Sequence, residues 1–444
     1  MGEQGSCTLP GRRGVAPRRL FGLAVPALGV LAAEPLYLLV DTAVVGHLGG
    51  TPLAALAVGG VVLAQLSTQL TFLAYGTTAR AARQHGAGQR AGAVAEGVAA
   101  TWLALAVGLV LVGVGQLFAG PVVRLLAGPG QVADAAVGWL RIALLGVPLI
   151  LVTMAGNGWM RGVQETARPL RYVLAGNGIS AVLCPLLVHV AGMGLTGSAV
   201  ANVVAQAISA ALFLRALAVE RVLLRPEPAR LRAQLTAGRD LVLRSLAFQA
   251  CFVSAIAVAA RTSAAAVGAH QVVLQLWVFL SLVLDSLAIA AQALVGAALG
   301  GRDETSARAL ARQVTGYGLI FGLLLAAVFC VLYPVLPKVF TSDAAVLGEI
   351  PNAWWFFVAL QPVAGVVFAL DGVLLGAGDA AFLRTATLTA ALLGFLPMAW
   401  LSLALDWGLM GIWTGLTAFM LIRLATVLGR LRSGRWAVPG MISP

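Results

Sequence analysis

The chain predicts an all-α polytopic membrane protein of twelve transmembrane helices, arranged as two six-helix lobes related by a pseudo-two-fold axis along the membrane normal. Three observations carry this. Sixty per cent of the 444 residues are hydrophobic and 10% are charged, with a mean hydropathy of +0.94, which excludes soluble globular, disordered and fibrous classes together. Apolar stretches long enough to cross a hydrocarbon core follow one another along the whole chain. The basic residues fall in alternate loops.

A window of about nineteen residues places the spans in order. The first, 20–41, contains Pro26 and Pro35, each of which removes a backbone donor and crowds the preceding turn, so this helix is expected to bend. The second, 53–75, carries Gln65 and Gln69 one turn apart. The third covers 94–117, the fourth 136–157 with Asn157 at its end, the fifth 170–190 with Asn177, and the sixth 195–217 with Asn202 and Gln206. A polar, Arg-rich interruption at 218–240 with Pro226 and Pro228 then divides the chain into an N-lobe (1–217) and a C-lobe (241–444). The second half supplies spans at 241–261, 265–291, 315–337, 352–375, 382–404 and 408–428.

The charge of +12 is topology and does not point to nucleic acid. Most of the 29 basic residues lie before the first span, after each even-numbered span and at the chain end, beginning with Arg12, Arg13, Arg18 and Arg19. The other side holds Arg124, Arg141, Arg261 and Lys338, with Arg244 just inside the seventh span. The positive-inside rule therefore expects both termini in the cytoplasm, with attraction to anionic lipid as a secondary effect. The first apolar run is too long for a signal peptide and leads into further spans, so it reads as a retained helix. Cys7, Cys184, Cys251 and Cys330 show no CxxC or CxxH spacing, which argues against a disulfide framework or structural zinc. There is no GxxxxGK[ST], HExxH or GxSxG, and a single lysine, so ATP hydrolysis and hydrolase chemistry are not expected, nor any cofactor or metal.

The halves read as diverged copies. An offset of about 211–214 pairs Gly60–Leu63 with Gln271–Leu274, Gly88–Arg90 with Gly300–Arg302, and Gly162–Glu165 with Gly376–Asp379. Six spans per copy give both the same orientation, with a central cavity between them suited to alternating access.

Acids at membrane depth are the candidate coupling groups, because an ionised carboxylate in hydrocarbon is costly unless it is paired, faces water or takes up a proton. Asp41 ends the first span, and Glu34 lies two turns before it on nearly the same face, where the two could share a proton. The bland reading of Asp41 is a helix-end cap at the interface. Asp285 in span eight and Asp371 in span ten are further candidates, for cation contact or for structural pairing. Gln65, Gln69, Asn157, Asn177, Ser180, Asn202, Gln271 and Gln275 are expected to line a loose cavity for amphipathic or cationic molecules, against the common role of intramembrane amides as interhelical glue. His270 reads as a hydrogen-bonded structural histidine rather than a proton carrier. Trp277, Trp354, Trp355 and Trp400 fit an interfacial belt.

Five stretches together resemble the multidrug and toxic-compound extrusion (MATE) transporters, and within them the DinF-like branch. They are Glu34–Gly49, Met160–Thr166 with Pro169, Gly194–Asn202, Ala269-His270-Gln271 and Asp371–Asp379. The resemblance covers nearly the whole chain and implies a two-lobed antiporter that expels organic cations and other amphipathic compounds in exchange for H⁺ or Na⁺. It makes Asp41 the N-lobe protonation or ion site. Where many relatives carry Asn…Asp-Pro on helix five, this chain has Ser180 and Cys184 before Pro185, and Asn202 stands where a Thr is common. A sodium site built there would lack anionic oxygens, so proton coupling through Asp41, with Glu34, is favoured. Asp371 matches an acid used for ion binding in some C-lobes, which keeps Na⁺ as the alternative. The expectation is thus a monomeric drug/H⁺ antiporter of the bacterial inner membrane, working by protonation of Asp41 and bending of helix one. The rivals are a Na⁺-coupled antiporter, a lipid-linked-precursor flippase with a more cationic cavity than the acidic one expected here, and a channel or membrane enzyme.

Overall fold

The computed structural model describes residues 16–441; Cys7, Arg12 and Arg13 lie outside them. The described residues form helices and connections, with no strand among them. In chain order these are α1 (Pro17–Gly46), α2 (Gly50–Leu70), α3 (Phe72–Gly86), α4 (Arg90–Ala127), α5 (Gln131–Leu144), α6 (Val147–Gly162), α7 (Ala167–Pro185) with a π-helical turn at Leu186–Val190, and α8 (Leu195–Val219). The second half follows as α9 (Pro228–Thr262), α10 (Ala264–Gly300), α11 (Glu304–Leu332), the short α12 (Leu336–Phe340) and α13 (Ala344–Glu349), α14 (Pro351–Ala377), α15 (Ala380–Thr389) with a π-helical turn at Ala390–Phe395, α16 (Leu396–Ala404) and α17 (Gly408–Ser433).

Among the described residues, eleven helices are long and apolar enough to cross a membrane, and the bent pair α5–α6 makes twelve. The chain is a multi-pass membrane protein. The fourth span, expected as one helix, is broken by 45° between Leu144 and Val147, where Pro148 cannot donate to the preceding turn. The second span is interrupted at Thr71, whose hydroxyl donates to the Thr68 carbonyl at 2.8 Å while that of Thr68 donates to Ala64 at 2.9 Å; such back-bonding competes with the helix ladder. α1, by contrast, runs as one helix through Pro26 and Pro35. The polar segment between the halves is helical from Pro228, which opens α9 at a position where a missing N–H costs nothing.

Positive φ angles recur 214 residues apart: Gly88 and Arg302 (74° and 60°), Gln164 and Gly378 (63° and 80°), Gly192 and Asp406 (68° and 51°), Gly194 and Gly408 (both 56°). The left-handed region is costly for most side chains, so this shared placement marks the same turns built twice. Each half also has a π-helical turn near a proline, Leu186–Val190 after Pro185 and Ala390–Phe395 before Pro397, though the two are not at equivalent positions of the repeat.

α10 is the central strut, buried continuously from Ser286 to Gly300 and packed on α1, α3, α11 and α14. Its contact with α3 at the end carrying the basic loops is backbone on backbone. A Cβ on Gly86 would collide with the Ala297 carbonyl, and one on Gly300 with the Arg83 carbonyl. In a membrane the tails outside are as apolar as the interface, so close approach of small residues supplies the attraction. Arg83 caps this seam, donating to the carbonyls of Ala377, Val438 and Gly440, each at 2.7 Å. The Gly440 amide in turn donates to Leu299 at 2.9 Å. Beside it, buried Glu96 of α4 accepts from Arg80 of α3 at 2.8 Å and from Arg230 of α9 at 2.7 Å. The two halves are therefore locked together at their basic end.

Just outside the spans, Glu220 accepts from Arg90 at 2.6 Å and 3.0 Å. These bonds hold its carboxyl below the ordinary carboxylate range. A lowered folded value means that the stabilisation is present above the ordinary range and is lost only as pH falls through the lowered one. Glu220→Gln is accordingly expected to leave the pH profile of transport between about pH 5.5 and 8 unchanged, as flux measured across that range would show.

Candidate functional site

α1 places Glu34, Tyr37 and Asp41 on one face, at i, i+3 and i+7. Asp41 is 1% exposed. Its Oδ1 accepts from the Ser198 hydroxyl of α8 at 2.7 Å and from the Cys184 thiol of α7 at 3.2 Å. Ser198 in turn accepts from the Trp139 indole of α5 at 3.2 Å. Asp41 Oδ2 and the Tyr37 hydroxyl are buried without a partner, and no arginine or lysine pairs with Asp41 among the described residues. A buried carboxylate with neutral donors on one oxygen and nothing on the other has a place ready for a proton. The interfacial-cap reading does not describe this site.

The α8 residue that holds Asp41 is Ser198, one helical turn before Asn202. One expectation is revised. Glu34 does not meet Asp41: the two lie roughly 10 Å apart along the helix, with Tyr37 between them, and Glu34 turns to a separate cavity.

That smaller cavity, of about 170 Å³, lies between α1, α3, α6, α7 and α8. Glu34, Asn157, Arg161, Asn177 and Gln206 face it. The Oδ1 of Asn157, the Nε of Arg161 and the Nδ2 of Asn177 are buried with no hydrogen-bond partner. Thr71 and Tyr75 form the wall shared with a larger cavity of about 370 Å³, lined by apolar and aromatic residues of α9, α10 and α17.

The larger cavity holds two acids, neither of them free. Asp371 of α14 accepts from Arg423 of α17 at 2.6 and 2.5 Å and from Arg244 of α9 at 2.6 Å. Asp285 of α10 accepts from the Tyr75 hydroxyl across the wall, and the Tyr75 carbonyl accepts from Gln292 at 2.7 Å. Arg423 stacks at 5.2 Å from the Phe248 centroid and 5.8 Å from that of Phe419, and Arg244 at 5.6 Å from Phe248. Removing one member of such a buried network strands the rest, so Asp371→Asn is expected to destabilise the protein by about 3–5 kcal/mol, read as a lowered Tm in detergent.

An acidic cavity is not what the fold builds. Three arginines, Arg161, Arg244 and Arg423, line the two cavities beside Glu34, Asp285 and Asp371, although the alternating-loop pattern of the sequence counts them as topology. Asn157 and Asn177 do reach a cavity. Gln65, Gln271 and Gln275 sit on exposed faces, because the cavity stripe of α10 runs His270, Leu274, Trp277, Ser281, Asp285 and the two glutamines stand one residue off it. Gln69 lines neither cavity, and its Oε1 is buried without a partner. Ser180 donates to the Ala201 carbonyl at 3.1 Å, as interhelical glue. His270, expected to be hydrogen-bonded, has neither ring nitrogen satisfied and packs edge-on to Trp413. Trp277 and Trp413 belong to the larger cavity, and Trp354 is fully buried in the core.

Comparison with known proteins agrees with this architecture. A family model described as MatE matches residues 26–186 and again 241–401, once in each half. The chain is 33% identical over 435 residues to Protein DETOXIFICATION 44, chloroplastic, of Arabidopsis thaliana, covering 94% of this chain and 83% of that protein. It is 30% identical over 442 residues to DNA damage-inducible protein F of Escherichia coli (strain K12), covering 94% of each. A crystal structure of a MATE in the bent conformation superimposes with a TM-score of 0.87 at 20% identity over 95% of both chains. A MOP superfamily transporter from Pyrococcus furiosus gives 0.84 at 20% identity, again over 95% of both. At that identity the solved structures speak for the fold alone.

Proposed function

The chain belongs to the MatE family, and on that premise we propose that it is a secondary active multidrug transporter exporting amphipathic small molecules in exchange for protons by alternating access. The observation that carries the coupling is Asp41, buried, without a cation partner, with one oxygen held by Ser198 and Cys184 and the other free. Proton uptake removes a charge that is costly at this depth and changes what α1 offers to α7 and α8. Pro26 and Pro35 leave the Gly22 and Leu31 carbonyls without their helical donors, which lowers the resistance of α1 to bending.

Sodium coupling is the weaker reading for both halves. Around Asp41 the donors are a thiol and a hydroxyl already in use, a poor set for a hard cation. Asp371 is compensated by two guanidiniums, and Asp285 holds a phenol. The seam between α3 and α10 supports a state closed at the basic end, with the cavities reached from the other side. We place this basic end in the cytoplasm of a bacterial inner membrane, with residues 1–217 and 241–444 as lobes joined by 218–240 and one chain as the transporting unit. The test is efflux from proteoliposomes under an imposed proton gradient or an imposed sodium gradient. Drug movement driven by the proton gradient is expected; movement driven by sodium alone overturns the coupling.

A further inference from the structure

Cationic substrates would meet a poor reception here. The faces of Phe248 and Phe419, which could hold an organic cation, are already occupied by Arg244 and Arg423. The two acids of the larger cavity are taken by those arginines and by Tyr75. On the other side of the Tyr75 wall, Arg161 is 5% exposed, yet it makes no hydrogen bond or ion pair with any described residue. Glu34 faces the same cavity but is not bonded to it. Its charge is answered only across the wall, by Asp285 and the Tyr75 bonded to it, so within this cavity the buried guanidinium keeps unused donors that an anion would satisfy.

Its neighbours fit the same ligand. The Nδ2 of Asn177 is an unpaired donor, Gln206 supplies another amide, and the Oδ1 of Asn157 can accept from a protonated or hydroxylated group. The space of about 170 Å³ suits a small head group, and the aromatic larger cavity across Thr71 and Tyr75 suits an apolar body. We infer that the smaller cavity is an anion site, in which Arg161 and Asn177 hold the carboxylate of an amphipathic organic acid, making such acids the preferred transported class. This rests on the transporter reading above and adds the sign of the substrate's charge.

The test is binding by the purified full chain in detergent, without any gradient. The probes are 1-naphthylacetate and the size-matched cation 1-naphthylmethyl-trimethylammonium. The acid is expected to bind at least about tenfold more tightly than the cation, and Arg161→Gln to lose at least about tenfold in affinity for the acid alone. Arg161→Lys, which keeps the charge but not the planar fork, retains the preference at reduced affinity and serves if the Gln variant melts early. Glu34→Gln, which removes the acid of that cavity, binds the acid at least as tightly as the parent. Tighter binding of the cation, no binding of the acid to folded parent, or acid binding indifferent to both Arg161 variants overturns the site. Because no gradient is involved, a failure of proton-driven efflux leaves this result standing, and a preference for the cation leaves proton coupling untouched.

Discussion

Asp41→Asn should reduce proton-driven efflux to the protein-free background while the protein inserts and melts as the parent does. The amide has the shape of the carboxyl and can still accept from Ser198, so the packing of α1 on α7 and α8 is kept. What it cannot do is exchange a proton, and no other acid is placed to take over. Glu34 lies roughly two turns away on the far side of Tyr37, and Cys184 stands where a second acid would be needed. Flux is measured in proteoliposomes under an imposed proton gradient, with substrate binding as the control. Full coupled transport by the variant would show that the proton travels elsewhere.

Gly86→Leu should trap the protein with its basic end unsealed. The Cβ alone meets the Ala297 carbonyl, and backbone has no rotamer with which to yield. Overpacking of this kind costs about 1–3 kcal/mol, enough to shift a two-state equilibrium roughly five- to hundredfold. The cost falls on the closed state alone if the halves part here during the cycle. A cysteine placed at Ala82, buried on α3 against Gly296 of α10, is then expected to be protected from a membrane-impermeant maleimide in the parent and labelled from the basic side in the variant, with transport lowered to match. Unchanged protection together with unchanged flux would mean that the seam is static packing.

The limits of the sequence reading follow from what a single chain encodes locally. Hydropathy is an average over a span, so it located the helices but concealed individual charges within them. Arg244 and Arg423 were read as markers of loop polarity, though each sits well inside a helix among apolar neighbours, and that position was the available signal. Arg161 was counted with the loop after span four for the same reason. Gln271 and Gln275 failed by a single residue of register, since one step along a helix turns a side chain by about 100°.

By itself the sequence determined the all-helical membrane class, the doubled plan and the isolated acid on the first helix. Each is set by local chemistry: the cost of unpaired backbone groups in lipid, repeated turn residues, and the cost of a charge in hydrocarbon. Only the tertiary structure decided which neighbours those groups meet. It gave Asp41 a hydroxyl and a thiol, gave Asp371 two guanidiniums and left Arg161 without a hydrogen bond or ion pair. Partner choice depends on helix rotation and crossing between segments well over a hundred residues apart, such as Asp41 with Ser198, and nothing in the composition of either segment specifies it.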